Sequence, residues 1–164
     1  MSLQQWLDNG WLHRHKTSPE EIENLLKIVD RDWRDANGDI SADWRFGISY
    51  NAALKLCTIL LYAEGYQPDR RLKHYRTIQA IVLVRGKGRQ GDADYLNTCR
   101  IKRHVAEYEH AGAITDRDAD ELVEFVRKFK HEVVTWLHER HSELCEGAEE
   151  PSVAAYPAYA GVSP

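Results

Sequence analysis

From Ser41 to Glu64 the chain carries Phe46, Tyr50, Ala53, Leu54, Cys57, Leu60 and Leu61 at helical spacing, and Gly65 follows as a stop. Together these side chains make a wide apolar face on one long helix, and a face that wide has to be buried against other elements. Those elements are helices as well, because strand signals are nearly absent while helix starts and stops recur along the chain.

Five further helices are expected. Leu3, Trp6, Leu7, Trp11 and Leu12 give a short amphipathic piece over residues 3–12. Ser18-Pro19-Glu20-Glu21 supplies an N-cap, proline in the first turn and a glutamate three residues after the cap. The helix it opens carries Ile22, Leu25, Leu26, Val29 and Trp33 and stops near Asn37-Gly38. A fourth helix runs from after Pro68 to about Val84, with Tyr75, Ile78, Ile81 and Val82 inward, and a glycine-rich basic linker, Gly86 to Gly91, follows it. The fifth spans about Asp92 to Ala111, with Gly112 as its stop. The sixth starts at Thr115-Asp116 and carries Leu122, Phe125, Val126, Phe129, Val133, Trp136 and Leu137 to about His141. Long helices with short connections predict an all-α, up-and-down bundle of four to five long helices plus a short N-terminal one. Residues 1–145 form this domain, and residues 146–164, rich in Glu, Ala and Pro, read as a disordered or loosely packed tail.

The 164 residues suffice for one domain and one core. With 43% hydrophobic and 29% charged residues, the composition excludes a fibrous or low-complexity chain. No clean apolar run approaches the roughly 18–20 residues of a membrane span, and residues 1–10 lack the pattern of a secretory signal, so a cytoplasmic protein is expected. Cys57, Cys99 and Cys145, odd in number and far apart, suit reduced structural thiols.

Charge is unevenly distributed. Ten Lys and Arg against two Asp give residues 70–103 a balance of +8, leaving −12 for the rest of a chain whose net charge is −4. Such a segment suits either a surface for a polyanion or a solvated face. The Gly86–Gly91 run lacks the strand and the Gly-Lys-Ser/Thr ending of a phosphate loop, so it reads as a linker. His138, His141 and Cys145 have the spacing to share a metal, but their place at a helix end favours solvated or capping histidines; no metal or cofactor is expected.

The fifth helix carries the chemistry. Arg100, Arg103, Glu107 and His110 are spaced three, four and three, which would set two guanidinium groups, a carboxylate and an imidazole on one face over about 15 Å. Ile101, Val105 and Tyr108 mark another, apolar face. Arginine offers planar, permanently charged donors to phosphate, and histidine exchanges a proton near neutral pH, which together suffice for RNA cleavage without metal. The same spacing is also that of an exposed ladder of Arg–Glu pairs. Asn51 and Lys55 share a face of the third helix, either as surface residues or as buried groups partnered by the arginine helix.

The run Gly47-Ile48-Ser49-Tyr50-Asn51-Ala52-Ala53-Leu54-Lys55-Leu56, with Leu61 to Tyr66 and His74-Tyr75-Arg76-Thr77-Ile78, resembles the long helix and following segment of HEPN domains. Arg100-Ile101-Lys102-Arg103-His104, with Tyr108, resembles their later arginine-containing helix. The resemblance covers about Asp43 to Leu137. It implies a helical bundle, a homodimer with the arginine motifs facing each other, and, in active members, a metal-independent ribonuclease of toxin or defence type. Arg103 and His110 would then be catalytic, with Arg100, Lys102, His104, Glu107 and Tyr108 in support. The shortest form of the family motif would place its histidine at Tyr108. Either His110 serves in its stead, or the chain is akin to non-catalytic members that bind a nucleotide, nucleic acid or a nucleotidyltransferase antitoxin.

Overall fold

The computed structural model describes residues 1–145 and shows an all-α bundle, five long helices and a short N-terminal one. They are α1 (Leu3–Asp8), α2 (Pro19–Ala36), α3 (Ala42–Ala63), α4 (Lys73–Arg85), α5 (Gln90–Tyr108) and α6 (Asp116–Arg140). The expected tail, residues 146–164, lies outside the described residues.

Caps set most of the starts. Ser2, Ser18, Ser41 and Thr115 each accept a backbone N–H from the first turn of α1, α2, α3 and α6. Glu21 does not close a box with Ser18; its carboxylate turns back to His15 Nε2 (2.6 Å) and Thr17 Oγ1 (2.7 Å). Gly65, at φ +90°, ends α3 where a side chain would strain the left-handed turn.

α3 is the axis. It packs against α2, α4, α5 and α6, and Phe46, Tyr50, Leu56, Cys57, Ile59, Leu60 and Leu61 are all but fully buried. It is also the one described helix long and apolar enough to cross a membrane, against the expectation that no stretch would be; its neighbours bury most of that length. Polar pins fix the packing: Asn51 donates to Asp32 of α2 at 2.6 Å, and Lys130 of α6 pairs with Asp30.

Two short strands depart from the purely helical expectation. β1 (Leu12–Arg14) pairs antiparallel with β2 (Tyr66–Pro68), Leu12 opposite Pro68. The N-terminal helix therefore stops at Asp8, four residues short of its expected end. Gly10 at φ +73° turns the chain, Trp11 packs edge-on against Trp6 at 5.8 Å, and Leu12 is buried in the strand instead of on a helical stripe. β2 and the turn after it return the chain so that α4 runs alongside α3 in the same sense, His74 beside Tyr50 and Ala80 clustered with Leu61. The expected linker is shorter than its glycines suggest: Lys87–Arg89 is a single 3-10 turn and α5 begins at Gln90.

The cysteines are free thiols, with Cys57 and Cys99 buried and Cys145 half-buried. Burial raises the pKa of all three. At pH 8 a disulfide reagent such as DTNB is expected to modify Cys145 first, with Cys57 and Cys99 at least about tenfold slower; denaturation equalises the three. Equal fast reaction in the native protein would mean that this core is open.

Candidate functional site

α5 lies against α3 and α4, and the arginines of its inner face meet aromatic rings there. The Arg103 guanidinium carbon is 5.1 Å from the centroid of Tyr50 on α3, and that of Arg100 is 5.7 Å from Tyr75 on α4. Arg103 Nε is 2.9 Å from Glu107 Oε1, one helical turn on. The contact is a charge pair and not a formed hydrogen bond: Arg103 Nε is buried without a hydrogen-bond partner among the described residues. Arg100 Nε donates to Asn97 Oδ1 at 3.0 Å. Gly47 of α3 faces the same pair: a β-carbon there would sit 3.7 Å from Glu107 Oε1, an ordinary contact.

Tyr50 sits beneath the cluster, 1% exposed, and its hydroxyl also has no hydrogen-bond partner among the described residues. Burial holds the phenol well above its ordinary pKa against the opposing pull of Arg103 and Arg100. His74, in the first turn of α4, has its ring 6.2 Å from that of Tyr50. Its pKa is lowered by burial first, then by the positive charges of Arg103, Lys73, Lys55 and Arg100. Desolvation and, after it, cations drawn from three helices thus favour the neutral form of this imidazole.

The other candidate residues divide. Lys102 faces away from this cluster, pairing with Asp118 of α6 at 3.2 Å beside a cleft of about 190 Å³. His104 and Tyr108 stack on each other at 4.9 Å on the outside of α5, where Tyr108 is 74% exposed. Ile101 is exposed too, so the apolar stripe expected there is an open surface with only Val105 half-buried. Tyr75, expected inward, lies at the surface under Arg100.

His110 is not on the helix. α5 ends at Tyr108, and the N–H groups of Glu109 and His110 both converge on Val105 O at 2.9 Å. Asp43, on the first turn of α3, takes the N–H of Gly112 at 2.7 Å and of Ile114 at 3.3 Å. Those bonds draw the chain off the helical path before Ala111, so the three-four-three spacing holds through Glu107 and lapses at His110, which is exposed in the connection to α6.

Asn51 is partnered by Asp32 of α2 and not by the arginine helix, whereas Lys55 does lie within electrostatic reach of His74. His141 binds Glu64 and Glu143 and packs on Trp136, and among the described residues no three His, Cys, Asp or Glu side chains converge to hold a metal. Arg89, in the glycine-rich turn, is held by Glu132 at 2.9 Å and Asp92 at 3.5 Å.

Sequence reasoning missed His74, Lys73 and Tyr50 as members of the cluster. A trace was present, since all three fall within the stretches that carry the HEPN resemblance or the basic run, but only the fold brings α3, α4 and α5 together. Chemically the cluster offers guanidinium and ammonium charges for phosphate oxygens, a neutral imidazole and aromatic faces. No protein-family model matches this chain, and neither does a curated protein or a solved structure.

Proposed function

We propose that this chain is a HEPN-like bundle that binds RNA through the α3–α4–α5 cluster and cleaves it without metal. The observation that carries the reading is the convergence of Lys55, Lys73, Arg100 and Arg103 on His74, with Arg103 and His74 both against the Tyr50 ring. In the reaction, the ribose 2′-oxygen attacks the adjacent phosphorus, the bond to the 5′-oxygen breaks, and a 2′,3′-cyclic phosphate and a 5′-hydroxyl result. Arg103 holds the non-bridging oxygens as charge builds on them. In this reading His110, in the α5–α6 connection, takes the 2′-hydroxyl proton and returns one to the leaving oxygen. The exposed Ile101 and Tyr108 supply the surface for the homodimer this reading includes.

A second reading rests on the end of α5. Because His110 lies off the helix and Tyr108 stands at the nearer position, the same cluster suits a non-catalytic module that holds a nucleotide, RNA or a nucleotidyltransferase partner. Incubating the protein with total RNA in EDTA separates the two. The ribonuclease reading expects cleavage by the wild type and a loss of at least about 100-fold in His110→Ala, with helicity unchanged. Intact RNA at every protein concentration overturns it in favour of binding alone, and cleavage by His110→Ala at the wild-type rate removes His110 from the chemistry.

A further inference from the structure

We propose that the N-terminus of α4 is the seat of a phosphate monoester, the dianionic group found on an RNA end or a mononucleotide. The inference deepens the RNA reading above and rests on it for the RNA end as one source of the ligand.

A helix start exposes backbone N–H groups and a partial positive charge, and proteins ordinarily answer both with a capping oxygen or an acid in the first turn. α4 has neither. Its N-cap is Leu72, exposed and in the left-handed region at φ 52° and ψ 33°, with no side-chain cap and no acid in the first turn. Lys73 and Arg76 stand there instead, adding positive charge where the helix already has it, with the His74 imidazole between them in sequence. An anion resolves this arrangement, and no carboxylate of that turn does.

An independent observation lies beside it. The Tyr50 hydroxyl is buried under the cluster without a hydrogen-bond partner among the described residues, its ring near both His74 and Arg103. Arg103 Nε is likewise buried without a hydrogen-bond partner among the described residues, its charge paired with Glu107. Two unsatisfied polar groups and an uncapped helix start therefore share one place, ringed by Lys73, His74, Arg100 and Arg103. An anion that draws the Arg103 head group outward exchanges Glu107 for itself and opens the Tyr50 hydroxyl to an oxygen.

A monoester is the class that fits. Near pH 7 it carries close to two negative charges and three free oxygens, where an internal diester carries one charge and two non-bridging oxygens. Several converging cations and a helix dipole discriminate most strongly for the more highly charged group.

The test is equilibrium binding at 150 mM NaCl to a short fluorescent RNA bearing either a 5′-phosphate or a 5′-hydroxyl, with inorganic phosphate and adenosine monophosphate as competitors. The phosphorylated RNA is expected to bind at least about tenfold more tightly, and both competitors to displace it. Leu72→Asp places an acid at the helix start; it is expected to erase the preference while leaving the melting temperature unchanged or higher. Glu107→Gln, which frees Arg103, is expected to tighten binding. Equal affinity for the two RNA ends overturns the inference even if RNA is cleaved. Displacement by adenosine monophosphate with no cleavage of any RNA upholds the site, names a mononucleotide as its ligand, and sinks the ribonuclease reading alone.

Discussion

Arg103→Ala is expected to reduce RNA cleavage by about 100- to 1,000-fold, the loss seen when one donor to a developing oxyanion is removed. The structural cost should be small by comparison. What the side chain gives the fold is a half-exposed pairing with Glu107 and a cation–π contact with Tyr50. The first is worth about 0.3–0.5 kcal/mol and the second about 0.5–1 kcal/mol. A protein of this size should therefore melt only about 2–5 °C lower. Arg103→Lys sharpens the test: it keeps the charge and much of the stem but loses the planar fork, so RNA binding should survive better than turnover. Rates measured at saturating RNA, beside thermal melts of the same samples, separate the two effects. Wild-type turnover in Arg103→Ala would remove this residue from the chemistry, whatever else the cluster binds.

The parts of the site readable in advance were those governed by local geometry. Arg100, Arg103 and Glu107 share a face because a helix repeats every 3.6 residues, and nothing between them breaks it. His110 was misplaced for a reason that spacing cannot contain. Its helix is ended early by Asp43, nearly seventy residues away in sequence, which claims the N–H groups of the following connection. The basic run from Arg70 to Arg103 was likewise legible as a charge and illegible as a surface. α4 divides it: at one end Arg89 is neutralised by Glu132 and Asp92, while at the other Lys73 joins Arg100 and Arg103 around His74. The residues expected on the buried face of α3 are all buried, but Ala52, Leu56 and Ile59, outside that stripe, are buried as well, because helices pack on more than one side of it. The β1–β2 pair was not legible, because three-residue strands leave too short an alternation to detect.

Arg45→Ala is the substitution expected to cost the most stability, about 3–5 kcal/mol. Arg45 stands on the first turn of α3 and is 7% exposed. Its Nε donates to Ala36 O at 2.8 Å, and its other end pairs with Asp120 Oδ1 at 2.8 Å. Ala36 is the last residue of α2, so its carbonyl is one of those a helix end leaves without an intrahelical partner. One side chain thus closes α2 and ties α3 to α6. Alanine leaves the Ala36 carbonyl without this donor, removes the charge paired with Asp120 and leaves the volume of the long stem unfilled. Arg45→Met separates these losses. It restores most of the volume but neither hydrogen bond, and because Asp120 is 29% exposed at its side chain and can take water, about 2–3 kcal/mol is expected there. Urea melts should show both variants with lower midpoints and an unchanged slope, the alanine more affected. A loss below about 1 kcal/mol in Arg45→Ala would mean that α2 and α6 are held by apolar packing alone. Because Arg45 pairs toward α2 and α6, and Tyr50 faces α4 and α5, the folded fraction of either variant should bind RNA as the wild type does.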